Sequence, residues 1–129
     1  MKQKMIIICL FMALFCGTSQ ARNWNKLIKA IIQIETKGDE KATNGRCAGI
    51  IQITPIMVHE CNLFQNKIHF SLKDRFNRQA SVKMFKIFQE KYNPEGNIEK
   101  AVRLWNGGPK YSLRATNKYT RKVLGIYYK

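Results

Sequence analysis

The sequence predicts a mainly α, compact single-domain fold of about five helices preceded by a signal peptide. Three observations carry this expectation. Between Arg22 and Lys129 the apolar residues recur at helical spacing, with no sustained alternation of the kind that marks strands. Start and stop signals divide this stretch into helix-length pieces, with Thr54-Pro55 among the starts and Asn93-Pro94 and Gly107-Gly108-Pro109 among the stops. A chain of 129 residues has room for one domain, and a hydrophobic content of 45% is enough to give it a core.

The elements follow in order. A first helix is expected from about Asn23 to Thr36, ending near Gly38. The second begins with Thr54 as N-cap and Pro55 in the first helical position, and runs to about Asn62. A long third helix follows Ser71, which forms a capping-box-like pair with Asp74, and ends before Asn93. Its apolar positions Leu72, Phe76, Phe85, Phe88 and Tyr92 are mostly helically spaced. The fourth spans Asn97 to Trp105, and the last covers about Thr116 to Tyr128.

The start of the chain sets the compartment. Lys2 and Lys4 precede an apolar run from Met5 to Phe15, and Ser19 and Ala21 place small residues at the third and first positions before Arg22. This is the pattern of a secretory signal peptide, residues 1–21, leaving residues 22–129 as the exported domain. The run is too short to span a bilayer, which takes about 20 apolar residues. Bulky Phe15 before Cys16 is a poor fit to a lipidation site, so cleavage after Ala21 is preferred and no stable membrane anchor is expected. The destination is periplasmic or extracellular.

Export changes the composition. Of 23 basic and 8 acidic side chains, net +15, two lysines leave with the leader, so residues 22–129 carry +13. Cys9 and Cys16 leave as well. The remaining pair, Cys47 and Cys61, is expected to form a disulfide, closing a loop of about 15 residues and contributing about 3 kcal/mol. No CxxC or HExxH spacing accompanies His59, so neither a metal nor another cofactor is expected. The excess of positive charge implies an anionic partner: nucleic acid, an acidic membrane or an acidic wall polymer. Export and the lack of any nucleic-acid motif disfavour the first.

The most informative residue lies on the first helix. At about 100° per residue, Leu27, Ile28 and Ile31 gather on one face with Trp24, whereas Lys26, Lys29 and Gln33 face the other way. Glu35 falls within the apolar stripe. Desolvation and the negative end of the helix both favour its protonated form, which is what a general acid requires. The alternative is that Glu35 pairs with a basic residue at the helix end.

Four segments come in a familiar order: Ile34-Glu35-Thr36, then Gly49-Ile50-Ile51-Gln52-Ile53-Thr54-Pro55, then Leu104-Trp105-Asn106-Gly107-Gly108-Pro109, then Tyr119-Thr120-Arg121-Lys122-Val123. Over about residues 24–124 the chain resembles the catalytic domain of soluble lytic transglycosylases, which has a lysozyme-like fold related to goose-type lysozyme. The family pattern has Ser where this chain has Thr36, Met where it has Ile51 and Tyr where it has Trp105. The resemblance implies that Glu35 is the sole catalytic acid/base. It further implies that Gly49, Gln52, Trp105 and Asn106 line a glycan cleft and that Tyr119 orients the glutamate. Beside each role stands a plainer one: a turn for Gly49, backbone bonding for Gln52, core packing for Trp105 and Tyr119.

By the same resemblance the substrate is peptidoglycan, cleaved between N-acetylmuramic acid and N-acetylglucosamine to leave 1,6-anhydro ends, by a monomer. A hydrolysing muramidase on the same bond usually needs a second carboxylate, for which Asp74 is the best candidate, although capping also explains it. Two other readings compete, a basic wall-binding module without catalysis and a secreted nucleic-acid binder. Glu35 in an apolar stripe argues against the first, and aromatics at core spacing argue against the second.

Overall fold

The computed structural model describes residues 20–129; the expected signal peptide, with the alternative lipid site at Cys16, lies outside the described residues except for its last two positions. The first helix, α1, spans Gln20–Glu35. Its predicted face is the buried one: Leu27, Ile28, Ile31 and Ile32 are inside, whereas Lys26, Lys29 and Gln33 are exposed. Lys37, in a left-handed conformation at φ 54°, ends the helix and donates its N–H back to the Ile32 carbonyl.

A small hairpin follows, with β1 at Thr43–Asn44 pairing antiparallel with β2 at Cys47–Ala48. Strands of two residues are too short to produce a readable alternation, which is why the sequence does not announce them. Helix α2 covers Pro55–Phe64, and the Thr54 side chain caps it by accepting from the Met57 N–H, as the Thr-Pro pair predicts.

The expected long third helix is in fact two elements. Leu72–Phe76 is a 3₁₀ turn, and α3 begins only at Arg78 and runs to Tyr92. Extended Asn77 separates them and accepts from the Ala80 N–H as the N-cap of α3. Ser71 and Asp74 do form a capping box, but for the turn. Leu72 and Phe76 accordingly lie exposed instead of continuing the core face of α3.

Helix α4 spans Ile98–Gly107 and α5 spans Leu113–Tyr127, the latter starting three residues earlier than expected because Ser112 supplies its cap. Helix α5 packs on both α4 and α1, while α2 packs on α3. Phe85 is the aromatic centre of the core, against Trp105 with centroids 4.9 Å apart and Trp24 at 5.6 Å. The Asn93-Pro94 stop has a buried partner network: the Asn93 amide donates to Gln89 and to the Asn97 carbonyl, and its oxygen accepts from the Asn97 N–H. Buried Arg103 joins α4 to the start of α5 by donating to the Leu113 carbonyl and the Thr116 hydroxyl while pairing with Glu99.

The expected disulfide is corrected by the structure, in which Cys47 and Cys61 are both free. Cys61 is fully buried on the inner side of α2, where its Sγ contacts the Met84 carbonyl at 3.5 Å, while Cys47 sits half-buried in the hairpin. Burial, reinforced by neighbouring Glu60, pushes the Cys61 thiol up to about 12. A thiolate-directed reagent should therefore label Cys47 in the native protein and Cys61 only after unfolding, as read by peptide mass spectrometry without reductant. A tryptic peptide pair linked through the two residues would contradict this.

Candidate active site

Helix α1 delivers Glu35 as its last residue, and α5 delivers Tyr119 opposite it. The Tyr119 hydroxyl donates a 2.7 Å hydrogen bond to the Glu35 carboxylate, bridging positions 84 apart in the chain. Burial raises the carboxyl above its ordinary range, and the hydrogen bond from Tyr119 acts in the opposite direction without cancelling it. Burial also raises the Tyr119 phenol, followed by the Glu35 charge and the bond itself, so Tyr119 stays a neutral donor. Among the described residues, no basic side chain forms an ion pair with Glu35. In place of the helix-end salt bridge stands a neutral partner, and burial is left as the dominant influence, favouring a protonated carboxyl.

The residue after the glutamate fixes the helix end to a neighbouring loop. The Thr36 hydroxyl donates to the Ile50 carbonyl at 2.8 Å, so the substitution of Thr for Ser keeps the group that makes the contact. The rest of the Gly49–Ile53 loop is held from other directions. The Trp105 indole N–H donates to the Ile51 carbonyl at 3.1 Å, and an Arg75 guanidinium N–H donates to the Ile53 carbonyl at 3.2 Å and the Arg46 carbonyl at 2.9 Å. Gln52 adopts a left-handed backbone at φ 58°, and its amide donates to the carbonyls of Gly49 and Ala42.

These contacts show where each expected site residue lies. Glu35 and Tyr119 meet directly, and the Gly49–Gln52 loop is tied to the same helix end through Thr36. The Gln52 amide N–H groups are taken up by backbone, at Gly49 in the loop and at Ala42 just before β1. Trp105 is a core residue, packed on Phe85 and Phe88, whose polar edge anchors the loop. Asn106, one residue further along α4, is exposed. Asp74 is not joined to this group: its carboxylate accepts from the Ser71 N–H at 2.7 Å and the Ser71 hydroxyl at 3.3 Å.

Arg75 is the residue that sequence reasoning missed. It binds the hairpin and the loop through its side chain, while its own carbonyl lies where a Cβ on Gly49 would sit, at 1.7 Å. A single arginine beside a capping aspartate carries no pattern that distinguishes it from a surface cation. Gly49 is obligatory on two counts, that approach and a φ of 85°.

Two substitutions test the arrangement. Gly49→Ala should destabilise by on the order of 3 kcal/mol or more, read by denaturant unfolding, because the backbone of the 3₁₀ turn must move aside. Tyr119→Phe should lower turnover by roughly ten- to a hundred-fold while shifting the alkaline limb of the pH–rate profile upward. The sign follows from the hydrogen bond, which stabilises the charged carboxylate; without it Glu35 holds its proton to higher pH.

Comparison with known proteins agrees with this geometry. The family model described as the transglycosylase SLT domain matches residues 13–124, which takes in the glutamate, the loop, the end of α4 and Tyr119. No curated protein and no solved structure matches the chain. With the match extending over most of its length, the chain belongs to the transglycosylase SLT family, a lysozyme-like catalytic domain for which peptidoglycan is the substrate.

Proposed function

We propose that this protein is an exported peptidoglycan lytic transglycosylase that uses Glu35 as its single acid/base. The observation that carries the reading is the half-buried Glu35 carboxyl, raised by desolvation and held by a neutral phenol instead of a cation. In this scheme Glu35 donates its proton to the oxygen bridging N-acetylmuramic acid and N-acetylglucosamine as the glycosidic bond breaks. The substrate's own N-acetyl group assists at the anomeric carbon. The muramic C6 hydroxyl then attacks that carbon, its proton passes to the Glu35 carboxylate, and a 1,6-anhydro ring closes with no water consumed.

Each neighbouring residue has a task consistent with that chemistry. Tyr119 keeps the carboxyl oriented, and Asn106, exposed on α4, would contact the sugar beside the scissile bond. Gly49 and Gln52 form the cleft wall through their backbone, and Trp105 supports it from behind. A muramidase would need a second carboxylate to hold or activate a water, and Asp74 is engaged within its own turn. That engagement supports the single-carboxylate scheme. The protein acts as a monomer without metal or other cofactor, after its leader is cleaved behind Ala21.

The test is a digest of purified peptidoglycan with the wild-type protein and with Glu35→Gln, read as muropeptides by mass spectrometry. Anhydro ends are expected from the wild type and should fall by about 10²–10⁴-fold in the variant. Reducing ends from the wild type would instead mean a muramidase. The variant should also unfold no more easily than the parent above neutral pH. A raised carboxyl pKa gives stability that is fully present below the unfolded value and lost as pH rises through the folded one; Gln removes that loss.

A further inference from the structure

The surface beside the catalytic pair carries a second, purely electrostatic feature. On α5 the buried residues Thr116, Thr120, Val123 and Tyr127 define the core face. Exposed Arg114, Lys118, Arg121 and Lys122 fall opposite, within an arc of about 100° and along about 12 Å of helix axis. The helix bears no acidic residue, and among the described residues no carboxylate pairs with these four cations. The pairs Arg114/Lys118 and Lys118/Lys122 are like charges one turn apart, each unfavourable for the isolated helix. A stripe of this kind is relieved by an external anion. Tyr119 lies on the flank of the same helix between this stripe and the core, so the stripe borders the place where Glu35 is held.

We infer that the outer face of α5 is a docking track for the anionic glycan strand beyond the bond being cut, the Arg114–Lys118–Arg121–Lys122 stripe holding the free carboxylates of its peptide stems. The inference rests on the peptidoglycan reading of the site. It goes beyond it by assigning polymer retention to a surface that does no chemistry. Complementary charge is the reason for choosing the strand: it is a polyanion already anchored at Glu35, and a long substrate has to leave the cleft across a neighbouring surface. Attraction of this kind concentrates the protein on its substrate and weakens as salt screens it.

The test uses the full chain carrying Glu35→Gln, so that binding is measured without cleavage, with and without Arg114→Gln, Lys118→Gln, Arg121→Gln and Lys122→Gln together. Co-sedimentation is measured with peptidoglycan stripped of covalently attached phosphate polymers, with the unstripped wall, and with a neutral β-1,4-linked N-acetylglucosamine polymer. On stripped peptidoglycan the fourfold variant should bind about ten-fold more weakly at low salt and show a flatter salt dependence. It should match the parent on the neutral polymer, and its Tm should be no lower, since like-charge repulsion is removed. Equal binding to stripped peptidoglycan, an equal loss on the neutral polymer, or a difference confined to walls bearing phosphate polymers would each overturn the inference. If the wild-type protein leaves peptidoglycan uncut while stripe-dependent binding persists, the transglycosylase reading falls and the docking surface stands.

Discussion

The close approach of the Arg75 carbonyl to Gly49 is the constraint on which the rest of the site depends. Because position 49 has no side chain, the 3₁₀ turn can lie directly against the loop that follows the hairpin. Once there, the turn supplies Arg75 to bind the loop at Ile53, while Thr36 and Trp105 bind it at Ile50 and Ile51. Three donors from three separate elements thus converge on consecutive stretches of one backbone. Such a loop has little freedom to drift, and the helix end that bears Glu35 is fastened to it.

That fastening explains how a small domain holds a carboxyl in an unfavourable state. A glutamate at the end of an amphipathic helix would ordinarily turn toward solvent or toward one of many available cations. Here the helix ends abruptly at left-handed Lys37, Thr36 is occupied with the loop, and Tyr119 meets the carboxylate from α5. The cost of desolvating the group is borne by packing elsewhere, in the contacts of α5 with α1 and α4. The raised state of the Glu35 carboxyl is therefore a consequence of helices being placed correctly around it.

Much of this was legible in the sequence, and the reasons differ by residue. The α1 stripe, the Thr54-Pro55 start and the glycine-rich stop after Trp105 are local signals, so periodicity and capping chemistry located three helices well. Glu35 stood out because a charged residue broke an otherwise apolar face. The split of the third helix was hidden because Ser71 and Asp74 cap a 3₁₀ turn with the same chemistry that caps an α-helix. Arg75, the short hairpin and the anchoring use of Trp105 depend on contacts between distant segments, which no window along the chain contains. The free state of Cys47 and Cys61 was misjudged for a related reason: compartment and spacing say that a bridge is permitted, whereas the direction in which α2 presents Cys61 decides whether it forms.

The buried Cys61 thiol has one more consequence. Among the described residues, an interior closed by packing and by networks such as Asn93 with Gln89 and Asn97 owes none of its cohesion to a disulfide. Within the described residues no covalent cross-link fixes the hairpin to α2, and non-covalent contacts alone hold the two in place.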